Sequence, residues 1–184
     1  MTFKEYLDFF QRIVRQEIKI NPYNDLKYVE FTKLNFSRFN RWLKIGEIHD
    51  ECIDTILLID EPQEWVIISE HWCGDAAHSL PFIIKLASYN SLIDLKFQLR
   101  DSKDSEIDLY LTNGTKSIPI LIGRKNGEDI FKWGPRPKSC IKYIDELKRK
   151  NKTNDQLKED IQKWYNTNKG HEIQAEICCL LKRN

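Results

Sequence analysis

One short stretch, Trp72-Cys73-Gly74-Asp75-Ala76, constrains the fold of this 184-residue chain more than any other. The apolar run Trp65-Val66-Ile67-Ile68 precedes it, and residues 76–87 follow with apolar side chains at helical spacing. The pattern predicts a strand, a tight turn and a helix, with a cysteine at the turn. A thiol at the start of a helix faces unpaired backbone N–H groups and the positive end of the helix dipole, which both favour the thiolate. The turn therefore predicts a reactive sulfur at Cys73.

Charge and composition argue against several classes of protein. The 29 basic residues are balanced by 28 acidic ones, so no long-range field favours binding to nucleic acid or to an anionic membrane. No apolar run approaches the roughly 20 residues of a membrane span, and the first residues lack the basic and then apolar order of a signal peptide. The five cysteines lie at irregular positions, which is typical of reduced thiols rather than of a disulfide framework. We expect a globular cytoplasmic protein with no nucleic-acid and no membrane partner.

The hydrophobic pattern predicts three parts. Residues 1–62 are expected to form an N-terminal helical extension, in which Asn21-Pro22 closes the first amphipathic helix and Gly46 interrupts a later one. Residues 63–150 are expected to form an α/β core domain, and residues 151–184 a C-terminal helical arm. The apolar faces of the added helices predict packing on the core. The alternative is a surface that binds a partner or forms a homodimer.

Within the core, strand and helix patterns alternate. The predicted elements, in order, are a strand at 66–69, a helix at 76–89, a strand at 93–99, a short helix at 104–111, a strand at 118–123, a strand at 129–133 and a helix at 138–150. Lys125-Asn126-Gly127-Glu128 is a hairpin turn signal that makes the last two strands antiparallel neighbours. The predicted order is therefore β-α-β-α-β-β-α.

This order, combined with the Trp72-Cys73-Gly74 turn, resembles the thioredoxin superfamily. Thioredoxins open their first core helix with a Trp-Cys-Gly-x-Cys turn, have a proline eight residues after the first cysteine, and place a cis-proline before the third core strand. Pro81 and Ile118-Pro119 occupy the two matching proline positions. Together with the run Lys132-Trp133-Gly134-Pro135-Arg136-Pro137, these features resemble a bacterial branch of thioredoxin-like proteins with helical extensions. The resemblance implies a thioredoxin fold with a mixed central sheet and added helices at both ends.

The resemblance also implies which residues form the site. It implies a groove that grips an extended substrate segment beside the cysteine, with these residues binding the substrate: Trp72, Gly74, Ala76, Ile118 and Pro119. Two positions depart from the thioredoxin pattern. Ala76 stands where thioredoxins have the resolving cysteine, and Ile67 stands where they bury an acid. The usual dithiol cycle therefore cannot be completed within this turn.

Asp75 is expected to tune the thiol. A carboxylate in the first turn of a helix suits the dipole, but a negative charge near Cys73 raises the thiol pKa. Protonated His71 is a candidate to counter that charge.

His78 is predicted to be an ordinary surface residue of the helix. The remaining cysteines lie among apolar positions, which predicts core sites for Cys52 and Cys140 and core or interface sites for the pair Cys178-Cys179.

Three functions fit these residues. The first is a monothiol oxidoreductase, with Cys73 and Asp75 as catalytic residues, acting on a disulfide or oxidised thiol of a protein or small molecule. No resident cofactor and no metal is expected, but an external thiol such as glutathione has to release the product. The alternative is a non-catalytic thioredoxin-fold module that binds a peptide or protein. A third hypothesis is a sensor in which Cys73 is oxidised to sulfenic acid and then capped.

Overall fold

The computed structural model describes residues 1–150 and 152–183, and its centre is a four-stranded mixed sheet. The strands are β1 (Gln63–Ser69), β2 (Ile93–Leu99), β3 (Ile120–Lys125) and β4 (Glu128–Trp133). They lie in the order β2-β1-β3-β4, with β1 parallel to β2 and β3 antiparallel to both of its neighbours. Strand β1 is central and buried over most of its length, which explains why its sequence is a continuous apolar run rather than an alternating one.

Helices surround this sheet. They are α1 (Phe3–Val14), α2 (Leu26–Ile45), α3 (Asp50–Leu57), α4 (Gly74–Ser88), α5 (Lys138–Arg149), α6 (Asn154–Asn168) and α7 (His171–Leu181). Helix α4 makes the crossover between the parallel strands β1 and β2, and α5 follows the β3–β4 hairpin. This arrangement confirms the predicted mixed α/β thioredoxin-like fold with helices added at both ends. In the part of the chain that the structure describes, no helix is both long and apolar enough to cross a bilayer.

The predicted short helix at 104–111 is wrong. Only one 3-10 turn forms there, at Ile107–Leu109. The side chains of Glu106 and Tyr110, on either side of this turn, are both held by Arg124 of β3. These long-range contacts fix the segment against the sheet, and local periodicity does not reveal them. The next strand also begins at Ile120 rather than at Ile118, which leaves Ile118 outside the sheet ladder.

The terminal helices share the hydrophobic core of the sheet. The ring of Tyr6 in α1 stacks on Phe97 of β2 at 4.6 Å, and Trp42 of α2 lies 5.5 Å from Phe82 of α4, measured between ring centroids. Gly170, which separates α6 from α7, has a φ of +79°, and a Cβ there would lie 2.5 Å from the Phe82 ring. A glycine is therefore required for the C-terminal arm to approach α4 this closely. The division of the chain near residues 62 and 150 stays a prediction.

Candidate functional site

Cys73 lies at the N-cap of α4, immediately after the tight turn that follows β1. Its backbone N–H donates to the Glu70 carbonyl at 3.0 Å, and its thiol donates to the Ile118 carbonyl at 3.4 Å. The residue is only 6% exposed. Burial, followed by the negative charge of Asp75, raises the pKa of the Cys73 thiol to about 12. The helix start favours a thiolate and Asp75 opposes it, and in the structure burial decides the balance in favour of the protonated thiol.

The helix start does act on this sulfur in the expected direction. The backbone N–H groups of Ala76 and Asp75, and the more distant charge of Arg136, all lower the thiol pKa. Their combined effect is smaller than that of burial. The backbone groups at the helix start therefore favour the thiolate, but the desolvation that outweighs them depends on the packing of Ile118 and the surrounding core on the sulfur.

Asp75 is anchored on two sides. Arg136 donates to its two carboxylate oxygens from Nε at 2.8 Å and from Nη2 at 2.6 Å, and the Tyr165 hydroxyl of α6 donates at 2.9 Å. The Asp75 side chain is 13% exposed. Burial lowers the pKa of Arg136, but the hydrogen bonds and charge of Asp75 outweigh this and raise it above its ordinary value. Asp75 therefore holds the loop after β4 and helix α6 against the start of α4.

Gly134 allows Arg136 to reach Asp75. It has a φ of +119°, and a Cβ at this position would lie 2.2 Å from the Pro119 carbonyl oxygen. The loop after β4 therefore lies directly on the Ile118-Pro119 segment, and both the Ile118-Pro119 and the Gly134-Pro135 peptide bonds are cis. Only glycine fits this combination of positive φ and close backbone approach.

Both histidines near the turn are buried, which corrects two expectations. His71 stacks on Tyr6 at 4.2 Å, and burial lowers its pKa to about 3, so it cannot offset the charge of Asp75 at neutral pH. His78 is buried rather than exposed, because α6 covers it. Its Nδ1 accepts from Trp42 Nε1 at 2.9 Å, its Nε2 lies 2.9 Å from Gln162 Oε1, and its ring stacks on Tyr165 at 4.5 Å. Burial lowers the pKa of His78 to about 4.

A groove of about 370 Å³ opens beside the sulfur. Its walls are formed by these residues: Trp72, Cys73, Asp75, Arg100, Thr115, Lys116, Ser117, Ile118, Pro135 and Arg136. Of the substrate-binding residues that the resemblance implied, Trp72 and Ile118 are on this wall. Ala76 is buried, and Gly74 faces Asn35 and Arg38 of α2. Pro119 packs against Gly134 behind the groove.

Sequence reasoning did not single out three residues of the site. Arg136 and Tyr165 bind Asp75, and Arg100 lies 4.7 Å above the ring of Trp72. The run from Lys132 to Pro137 marks the family resemblance, but no local signal in it pairs Arg136 with Asp75. A carboxylate at the start of a helix suggests that a cation binds it, but the sequence does not indicate which cation.

The other cysteines are free. Cys52 and Cys140 are buried, as predicted, whereas of the adjacent pair Cys178 is buried and Cys179 is exposed. Across residues 1–150 and 152–183, no group of three or more histidine, cysteine or acidic side chains could hold a metal ion. The geometry of the site is therefore that of one enclosed thiol, one anchored carboxylate and an open groove.

Comparisons with known proteins agree with this architecture. A family model described as thioredoxin matches residues 23–148. The fold is similar to that of a protein of unknown function from Pseudomonas aeruginosa, with a TM-score of 0.60, 11% identity, and 82% of this chain and 84% of that chain covered. It is also similar to an HIV epitope-scaffold protein, with a TM-score of 0.59, 12% identity, and 100% and 99% coverage. No curated protein matches the chain significantly. Because the family model spans more than half of its length, the chain belongs to the thioredoxin family.

Proposed function

We propose that this chain is a non-catalytic thioredoxin-fold protein that binds an extended segment of a partner protein in the groove beside Cys73. The observation that carries the proposal is the state of Cys73. Its thiol is enclosed, donates to the Ile118 carbonyl and has a pKa raised to about 12. Ala76 occupies the position at which thioredoxins have a second cysteine.

Thiol-disulfide exchange requires a thiolate that can reach a disulfide sulfur. Because burial raises the pKa of Cys73 far above neutral pH, very little of it is thiolate at pH 7. The sulfur is also almost inaccessible to a partner. Catalysis by Cys73 is therefore slow in this conformation, although the groove next to it remains open.

The groove has the parts needed to bind an extended chain. Strand β3 pairs with β1 only as far as Ile120, and residues 115–118, which precede it, form one wall of the groove. Thr115 already pairs with Thr112, so it is the main chain of Lys116 and Ser117 that can pair with an extended peptide, while Trp72 supplies an apolar surface for the peptide's side chains. A protein segment can use both the main-chain pairing and the apolar surface, whereas a small thiol is too short to use both.

A second candidate is the monothiol oxidoreductase. The N–H groups of Ala76 and Asp75 favour a Cys73 thiolate, and this function requires a rearrangement that opens the sulfur to a partner. In this mechanism the thiolate attacks a disulfide of the partner, one partner thiolate leaves, and an external thiol such as glutathione cleaves the mixed disulfide. We place either activity in the cytoplasm, because all five cysteines are unpaired.

Alkylation kinetics separate the two candidates. Native protein is treated with iodoacetamide between pH 6 and 10, and mass spectrometry scores each cysteine. Cys179 is the internal control, because it is the exposed cysteine. Labelling of Cys73 roughly 100-fold slower than that of Cys179, across this range, supports the binding protein. Rapid labelling of Cys73 with an apparent pKa below about 7 supports the oxidoreductase instead.

A further inference from the structure

Most of the charged residues that line the groove beside Cys73 are basic. Three basic residues line it: Arg100, Lys116 and Arg136. Among the described residues, the only acid on its wall is Asp75, and this carboxylate is bound by Arg136 and Tyr165. The chain as a whole has a formal net charge of only +1, so the positive character belongs to the groove and not to the protein surface in general.

The three cations come from three separate segments. Arg100 follows β2 and covers one face of Trp72, Lys116 lies in the segment before β3, and Arg136 lies in the loop after β4. An extended ligand in the groove therefore meets positive charge on more than one side. Trp72, Ile118 and Pro135 provide the apolar part of the same wall.

Two of these cations have partners outside the groove. Arg100 pairs with Asp101 through two hydrogen bonds, at 2.8 and 2.7 Å, and Lys116 pairs with Asp108 at 2.9 Å, and neither acid is on the groove wall. The Lys116 and Asp108 side chains are 49% and 68% exposed, so water competes for both charges and a ligand carboxylate can replace Asp108 at little cost. Arg100 is 24% exposed, and a ligand carboxylate can approach its exposed part while Asp101 stays bound.

From these features we infer that the groove selects an acidic segment of a partner protein, with aspartate or glutamate residues on both sides of an apolar side chain. The inference rests on the proposed binding function and names the class of its ligand. The apolar side chain contacts Trp72 and Ile118. The acids pair with Arg100 and Lys116, while Arg136 stays bound to Asp75.

Peptide binding tests the inference directly. Three fluorescein-labelled octapeptides share a central valine and differ in four flanking residues, which are all glutamate, all glutamine or all lysine. Fluorescence anisotropy measures the affinity of each for the full chain at low and at moderate salt. We expect the glutamate peptide to bind roughly five times more tightly than the glutamine peptide at low salt, and this ratio to fall as salt screens the charges.

Matched variants locate the effect. Arg100→Gln and Lys116→Gln should each lower the affinity for the glutamate peptide roughly two- to fivefold and leave the affinity for the glutamine peptide unchanged. Lys103→Gln and Lys125→Gln remove the same charge outside the groove and should change neither affinity. Lys125 is the closer match to Lys116, because it also forms a surface ion pair, with Glu61 at 2.9 Å.

The outcomes distinguish this inference from the function on which it rests. Equal affinity for the glutamate and glutamine peptides overturns the acidic preference and leaves the binding function in place. A preference for glutamate that Lys103→Gln reduces as much as Arg100→Gln overturns the assignment to the groove. If none of the three peptides binds, the proposed binding function fails, and this inference fails with it.

Discussion

Two arginine clusters mark opposite ends of the β3–β4 hairpin. At the site, Arg136 binds Asp75, whose side chain is 13% exposed and also receives the Tyr165 hydroxyl. At the hairpin turn, Arg124 binds Glu106 and Asp129, and the Asp129 side chain is 43% exposed. Both clusters join separate segments of the chain, but the carboxylate that Arg136 binds is less exposed, at 13%, than the Glu106 and Asp129 carboxylates that Arg124 binds, at 31% and 43%.

This difference in exposure determines how much stability is lost when an ion pair is broken. A buried pair stabilises little in itself, because desolvation offsets the attraction, but removing one partner leaves a charge that water cannot reach. At the hairpin turn the Arg124 side chain is itself only 16% exposed, but the loss of Asp129 leaves it paired with Glu106, and the released acid is open to water. Substitutions near Cys73 should therefore have large effects, and equivalent substitutions at the hairpin turn should have small ones.

The largest expected effect is a loss of stability in acid that arises from His71. Its pKa is about 3 in the folded protein against 6.5 for the free residue, so only the unfolded chain takes up a proton as the pH falls below 6.5. Neutral His71 therefore contributes stability above pH 6.5 that is lost progressively toward pH 3. The full loss is about 5 kcal/mol by this linkage.

Urea unfolding at several pH values measures how the free energy of unfolding changes with pH, and this change is the slope compared below. His71→Phe keeps an aromatic ring against Tyr6 and cannot be protonated, so its stability should vary less between pH 6.5 and 4 than that of the natural chain. An unchanged slope in His71→Phe would show that His71 is not the group responsible.

The next largest effect is expected from Arg136→Met. This change leaves the Asp75 carboxylate without its main partner and should cost roughly 2–4 kcal/mol, somewhat less than for a fully enclosed pair because Arg136 is partly exposed. The free energy of unfolding in urea is the measurement. Adding Asp75→Asn should restore part of the loss, since it removes the unpaired charge. A loss no larger than that at the hairpin turn would end the contrast between the two clusters.

Gly134→Ala should lower the free energy of unfolding by about 1–3 kcal/mol, because a side chain is strained at this φ and its Cβ meets the Pro119 carbonyl. Thermal unfolding measures the loss. Gly114→Ala is the matched control, since Gly114 also has a positive φ, of +75°, but a Cβ there meets nothing within 4 Å. Equal losses in the two variants would mean that only the φ angle matters and that the approach to Pro119 does not.

The smallest effect is expected at the hairpin turn. Asp129→Asn weakens the pair with Arg124 but leaves an amide oxygen that still accepts hydrogen bonds, so the loss should stay below about 1 kcal/mol. It should also shrink in higher salt. A loss as large as that of Arg136→Met would show that burial does not distinguish the two clusters.

Local patterns determined the fold. The continuous apolar run of β1 and the helical spacing after Cys73 predicted the central strand, turn and helix. The Asn126-Gly127 signal predicted the hairpin, and both residues have positive φ angles, of 53° and 83°. These features depend on neighbours in the chain, so the order of elements and the position of Cys73 at a helix start could be predicted. The segment at 104–111 could not, because Arg124 holds it from a distant strand.

The chemistry of the site was decided by tertiary structure. Arg136 and Tyr165, which bind Asp75, are 61 and 90 residues away from it in the chain. The arm that covers His78 follows it by a similar distance, and the sulfur of Cys73 is enclosed by Ile118 of another segment. A pKa depends on desolvation and on charges within a few ångströms, and those neighbours exist only after the chain has folded. Sequence alone therefore located the thiol, and only the tertiary structure determined that it is protonated.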